Sequence, residues 1–383
     1  MKKRFFCLLL ALMLLAPAAL AEDDPDDSAV FTITDENGVA LFAISHAVSV
    51  GDEYISRDNA LYRIGQVSGT TATASRVGEE TMPDVSWLDA GEAQAVFAPS
   101  GGAVQAASDS TDGKKLIAMY VTHSDESYVP SDGTQSIEGQ GGIYDVARQF
   151  RDALQARGID VIFDESTHLP HDSGAYRRSR RTAERLLQNR PDAIIDIHRD
   201  GIPNADEYVA TIDGENASQV RLLVGRSNQN SEVNRAFAKE IKAVADKKYP
   251  GLVKDIFIGK GNYNQDLSPN AILLEFGTHT ISKERVLNST DVMADVVSTT
   301  LYGAQTGSAK GAKTESAEKA SASAKNKGSV SGIALLAVLV VVGVILFALV
   351  QTGSGKAMGT KIGRNLREMT GGLVGKRKDE DAP

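Results

Sequence analysis

Three apolar runs in the 383-residue chain stop on side chains that bind metal ions or carry protons. Leu116-Ile-Ala-Met-Tyr-Val121 runs into Thr122-His123-Ser-Asp-Glu126, Ala193-Ile-Ile-Asp-Ile197 into His198-Arg199-Asp200, and Ala271-Ile-Leu-Leu274 into Glu275-Phe-Gly277-Thr-His279. Short runs rich in isoleucine and leucine, bounded by turn residues, are predicted to be buried strands. If the three are parallel neighbours, their ends share the sheet edge at which open α/β sheets bind ligands. Two histidines and a carboxylate around a position left open to water form the donor set of a catalytic zinc. His123 and Glu126 are three residues apart, so one turn can present both to a single ion, and His198 supplies the third ligand. Glu138 is the rival carboxylate ligand; its other role is to favour the N-terminus of the helix that follows.

Glu275 is then left for proton transfer. A water attacking a carbonyl at such a site needs a base to take its proton and pass it to the leaving amide nitrogen. A glutamate emerging from an apolar strand into a cleft suits the raised pKa that this exchange requires. Arg199 is the candidate to stabilise the oxyanion or dock a substrate carboxylate. Asp196 shares a strand face with His198 by the period of two and is a candidate to orient its imidazole. His46, alone in Ile44-Ser-His46-Ala-Val48, reads as structural, while His171 and His279 either line the cleft or belong to loops. Arg177, Arg178, Arg180 and Arg181 read as a solvated helix face, with acidic peptide stems as the alternative partner.

The elements that must position these residues follow from the pattern along the chain. Residues 1–21 have the charged, apolar and small-residue segments of a secretory signal, and the single cysteine, Cys7, lies inside it. An exported chain would then have no thiolate, so its metal site must use His, Asp and Glu. Residues 28–97 alternate apolar and polar positions around turns, which predicts a small all-β module without a catalytic constellation; residues 98–114 read as a linker. From 115 to 303 apolar runs alternate with helical periodicity at 143–157, 174–188, 232–248 and 289–301. The fold class predicted is α/β, a mainly parallel sheet flanked by helices on both faces. Residues 304–331 read as a flexible tether, 332–351 as one transmembrane helix and 352–383 as a basic tail. The lysines and arginines of that tail place it on the cytoplasmic side of a cell membrane, and the catalytic portion on the wall side. A net charge of −9 argues against a nucleic-acid binder.

The motifs Thr122-His123-Ser-Asp-Glu126-Ser-Tyr128, Gly141-Gly-Ile-Tyr-Asp-Val146, His171-Asp172, Ala175-Tyr-Arg-Arg-Ser-Arg180, Asp196-Ile-His198-Arg-Asp-Gly201, Val224-Gly-Arg-Ser-Asn-Gln-Asn230, Tyr263-Asn-Gln-Asp-Leu267 and Leu274-Glu-Phe-Gly-Thr278 together resemble the stage II sporulation protein P family. The resemblance implies an amidase-like fold and a zinc-dependent N-acetylmuramoyl-L-alanine amidase acting on peptidoglycan, with endopeptidase action on cross-links. It places metal-binding histidines at His123 and His198 and the catalytic glutamate at Glu275, with Glu126 taken over Glu138 as third ligand because it lies within the motif. It also implies septal wall thinning and engulfment in sporulation, with stage II sporulation proteins D and M as partners. A signal-like N-terminus with a C-terminal span departs from the family's usual N-terminal anchor. The competing expectation is a wall-binding scaffold with a degenerate site that recruits other hydrolases.

Overall fold

The computed structural model describes residues 29–89 and 114–303, all within one compact unit. In chain order the strands and helices are β1 (Phe31–Thr34), β2 (Ala40–Ile44), β3 (Glu53–Ile55), β4 (Ala60–Ser68), β5 (Thr71–Glu79), β6 (Leu116–Tyr120), α1 (Val129–Asp132), α2 (Ile143–Ala156), β7 (Asp160–Phe163), α3 (Ala175–Leu187), β8 (Ala193–Asp200), β9 (Val209–Ile212), β10 (Glu215–Ser218), β11 (Val220–Gly225), α4 (Ser231–Lys248), β12 (Val253–Gly259), β13 (Ala271–Thr278) and α5 (Lys283–Tyr302). The predicted signal, linker, tether, transmembrane helix and basic tail lie outside the described residues. Among the described residues no helix is long and apolar enough to cross a membrane.

One sheet of 11 strands runs β2-β1-β5-β4-β3-β12-β11-β13-β8-β6-β7, and β9 and β10 form a separate hairpin. From β12 to β7 the joints are parallel except the one between β11 and β13. The expectation of a β module set apart from the catalytic portion is corrected here, because β3 pairs antiparallel with β12, Ile55 opposite Ile256, and makes the sheet continuous. The sequence hid this joint for a plain reason: β12 carries Lys254 and Asp255 in an otherwise apolar run, and β3 is only three residues long.

Strand side chains alternate between two cores, as the period of two requires. Ile117, Met119, Ile195, Ile197, Leu222, Val224, Ile256, Ile258, Ile272 and Leu274 face α2, α4 and α5. Helix α2 shows why that layer forms: Ile143, Val146, Ala147, Phe150 and Leu154 make a buried stripe at helical spacing, and the chain turns away at Gly158, whose φ is +74°. On the other face Ala118, Tyr120 and Ile194 pack under α3 through Ala183 and Leu186. Leu223, Phe257 and Leu273 instead meet Ile33, Phe42 and Ile44 of the β module. Helices therefore cover this second face only in part, and strands of the same sheet cover the rest. Burying a side chain the size of Phe42 or Phe257 contributes about 1.5–3 kcal/mol.

Charged contacts fasten the module to α4. Arg235 bridges Glu53 and Glu80 at 2.5 Å each, and Lys239 reaches Glu80 at 2.6 Å. Burial works to raise the Glu80 pKa, but Lys239 and Arg235 hold it below its ordinary 4.5. A depressed carboxylate pKa contributes stability that is complete above the unfolded value and lost as pH falls through the folded one. The melting temperature by calorimetry should therefore drop between about pH 5 and about pH 3, and Glu80→Gln should make that drop shallower.

Candidate metal centre

Strands β13, β8 and β6 are adjacent and parallel, so their C-terminal ends share one edge. His198 and Asp196 alternate with the residues that face α2, α4 and α5, which puts them on the second face of the sheet. His123 and Glu126 lie in the loop after β6. That loop is fixed by Asp196, whose Oδ1 accepts from the Thr122 amide at 2.9 Å and whose Oδ2 accepts from the Thr122 hydroxyl at 2.6 Å. The Glu126 Oε2 accepts from the Arg199 amide at 3.0 Å, which ties the loop to β8.

His123, Glu126 and His198 come together as three buried groups whose ligand-capable atoms all lie within 4.8 Å of one another. Glu126 Oε1 stands 3.4 Å from His123 Nδ1 and 3.7 Å from His198 Nδ1. Those separations exceed ordinary N–H···O hydrogen bonds. They lie close to, and slightly above, the spacing of about 3.3 Å between ligands held 2.0–2.1 Å from a tetrahedral zinc. Glu138 is exposed and does not belong to the cluster.

The electrostatics suit a cation. Burial opposes charge on His198, yet the Asp196 and Glu126 carboxylates prevail and hold its pKa up at about 10. Burial would raise the Glu126 carboxyl, but His198, His123 and Arg199 keep it well below the usual range. His123 is pushed down, chiefly by burial. His198 Nε2 lies 3.1 Å from Asp196 Oδ1 without hydrogen-bond geometry and has no hydrogen-bond partner among the described residues. His171 stacks on His123 at 4.0 Å and bonds Asp125 through Nδ1 at 2.9 Å, so it borders the cluster. His279 contributes its backbone amide to the Asp200 carbonyl.

Glu275 is paired across the β13–β8 ladder with His198 and is fully buried. Its Oε1 lies 2.6 Å from His46 Nε2, and its Oε2 lies 3.2 Å from the Tyr208 hydroxyl and 3.7 Å from Arg221 Nη1. Burial and the Asp200 carboxylate raise its pKa, against His46 and Arg221, which lower it. Just beyond it, Gly277 takes a φ of +71° with the Ser218 hydroxyl 2.7 Å from where a Cβ would stand. The ladder slips there and Thr278 returns to pair with Asp200. Arg199 spends its guanidinium on the carbonyls of Ser127, Asp200 and Gln135 at 3.2, 3.2 and 2.8 Å.

From the sequence His46 reads as structural and Tyr208, Arg221 and Asp255 have no assigned role; the structure brings His46, Tyr208 and Arg221 to Glu275, and Asp255 to Arg221. Arg221 and Asp255 left one trace, a charge inside an apolar strand. Because β11 and β12 run opposite to β13, their first residues reach the edge where β13 ends, and Arg221 pairs with Glu275 in register.

A parallel-stranded α/β body with a buried two-histidine, one-carboxylate cluster at its strand ends is the class this site defines. The family model of stage II sporulation protein P matches residues 59–298, and the chain belongs to that family. Stage II sporulation protein P of Bacillus subtilis (strain 168) is 30% identical over 223 residues, which cover 53% of this chain and 55% of that relative, so the match spans about half of each. Among solved structures, the N-acetylmuramoyl-L-alanine amidase AmiC2 of Nostoc punctiforme is similar at 15% identity and a TM-score of 0.33, over 50% of this chain and 97% of that one. The CwlD amidase of Clostridioides difficile in complex with the GerS lipoprotein gives 15% and 0.34, over 50% and 98%.

Zinc titration of metal-free protein is expected to saturate at about one ion per chain. His198→Ala and Glu126→Gln should each weaken binding at least about tenfold, whereas Glu138→Gln should leave it unchanged, as read by competition with a chelating dye.

Proposed function

We propose that this chain is a zinc-dependent peptidoglycan hydrolase that cleaves the amide between N-acetylmuramic acid and the L-alanine of the stem peptide, and also peptide cross-links. The observation that carries the reading is the placement of a fully buried glutamate, Glu275, directly across the ladder from His198 in the His123–Glu126–His198 cluster. A zinc ion held by those three would supply Lewis acidity toward the scissile carbonyl and a water acidic enough to attack it.

The chain's own groups supply the proton path. Glu275 takes a proton from the attacking water on one carboxylate oxygen and delivers it to the amide nitrogen as the C–N bond breaks, so that a carboxylic acid and an amine leave. A raised pKa brings the two protonation states of Glu275 closer in energy near neutral pH. Both its oxygens already have neighbours, but a carboxylate has about four lone-pair sites and keeps capacity for the water. Arg199 uses three of its five N–H donors on carbonyls, and in this reading the other two face the oxyanion or the substrate carboxylate.

Family membership supports a role in sporulation. In this reading that role is septal wall thinning and engulfment, with stage II sporulation proteins D and M as partners. Residues 332–351 anchor the catalytic portion on the wall side of the membrane.

The decisive measurement is mass spectrometry of products from purified sacculi and from muropeptides of known structure. Release of free stem peptide is expected, and chelation or Glu275→Gln should each lower the rate at least about 100-fold. Release that survives both would overturn the reading, and sacculus binding without product would favour the scaffold.

A further inference from the structure

His46 comes from the β module and lies outside the residues 59–298 that the family model matches. It follows β2 in the buried segment Ile44-Ser45-His46, and its side chain is 4% exposed against 0% for Glu275. We propose that His46 is a positioning residue for Glu275, so that the N-terminal β module completes the catalytic centre. The inference rests on the reading of Glu275 as the base.

The segment carrying His46 is locked to the strand ends. Asp200 Oδ1 accepts from the Ser45 amide at 3.0 Å, and the Gly201 amide donates to the Ser45 hydroxyl at 2.7 Å. Any Cβ on Gly201 would stand 2.8 Å from the Ser45 side chain, so the Gly201 backbone meets that side chain at a distance that only glycine permits. Two residues before Ser45, the Ala43 carbonyl accepts from both Nη atoms of Arg221 at 3.2 Å. The His46 ring stands edge-on to Tyr263 at 5.9 Å. Its Nε2 therefore meets Glu275 Oε1 from a fixed direction, and at 2.6 Å the bond is in the short, charge-assisted class.

The groups around the Glu275 carboxyl explain why that direction matters. Arg221 and Tyr208 lie on the Oε2 side with Asp200 bonded to both, and Arg221 Nη1 is already within 3.7 Å. His46 is the opposing donor on Oε1. Without it the carboxylate would turn toward the guanidinium and away from the water whose proton it takes. His46 is almost fully buried against Glu275, so its loss should act on turnover and leave substrate binding alone.

The test compares the full chain with His46→Phe, His46→Gln and Glu275→Gln, measuring muropeptide hydrolysis, zinc content and thermal unfolding. Phenylalanine keeps the ring volume and removes the donor; glutamine returns an N–H. His46→Phe should lower kcat about 30-fold or more, with zinc content retained. Its KM should stay within about threefold of the wild type, and His46→Gln should recover kcat to within about fivefold. If His46→Phe keeps kcat within about threefold while Glu275→Gln abolishes hydrolysis, His46 only packs: this inference fails and the base reading stands. Hydrolysis that survives Glu275→Gln overturns both. Equal losses in His46→Phe and His46→Gln overturn the positioning role. Independently of turnover, His46→Phe should lower the melting temperature less in the Glu275→Gln background than in the wild type, and equal shifts would overturn the contact. Should the phenylalanine variant not fold, His46→Leu serves in its place.

Discussion

Arg221 carries a guanidinium with no exposure to solvent, and the molecule is arranged around neutralising it. Removing such a charge from water costs several kcal/mol unless its donors are matched by carboxylates and carbonyls in good geometry. Asp255 takes Nε and Nη2 at 2.7 and 3.1 Å, Asp200 takes Nη1 at 2.8 Å, and the Ala43 carbonyl takes both Nη atoms. Those partners come from β12, β8 and β2, so one side chain holds the centre of the sheet, a strand end and the β module in fixed relation. Losing one member of a buried pair of this kind costs about 3–5 kcal/mol. The same cluster borders Glu275, and it brings negative charge from Asp200 and positive charge from Arg221 to bear on one carboxyl.

Beside it lies a second electrostatic zone with the opposite preference. Glu126 and Asp196 make the surroundings of His198 favourable to positive charge even at full burial. In the proposed reading a divalent cation answers that preference, since Glu126 Oε1 stands farther from both Nδ1 atoms than a hydrogen bond requires. The two zones share the β13–β8 ladder. The Glu275–His198 register thus places a group able to hold a proton next to one able to hold a metal, with no loop between them to loosen the spacing.

Tyr208, itself fully buried, stands between two carboxylates with a single hydroxyl proton. Its oxygen is 2.9 Å from Asp200 Oδ2 and 3.2 Å from Glu275 Oε2, and it can donate to only one of them at a time. When Glu275 is protonated it can donate to Tyr208 instead, which leaves the tyrosine proton for Asp200. The network therefore accommodates both protonation states of Glu275 without leaving a buried carboxylate oxygen unpartnered.

Local pattern in the sequence determined a great deal. The apolar runs at 116–121, 193–197 and 271–274, and the helical stripes at 143–157 and 232–248, each specify an element whose buried face is written in its own period. Because those strands are parallel neighbours, His123, Glu126, His198 and Glu275 were legible as one group before any coordinates. Four outcomes belonged to tertiary structure: the reversal of β11 and β12, the joining of β3 to β12, the arrival of His46 at Glu275, and the neutralising of Arg221 by three distant segments. None of these has a local signature that singles it out. A charged residue inside an apolar strand or a lone histidine after a short strand has the same appearance whether it is solvated, structural or catalytic. Only the strand order and the partners it delivers decide which, since the free energy of a buried charge is set by neighbours far away in the chain.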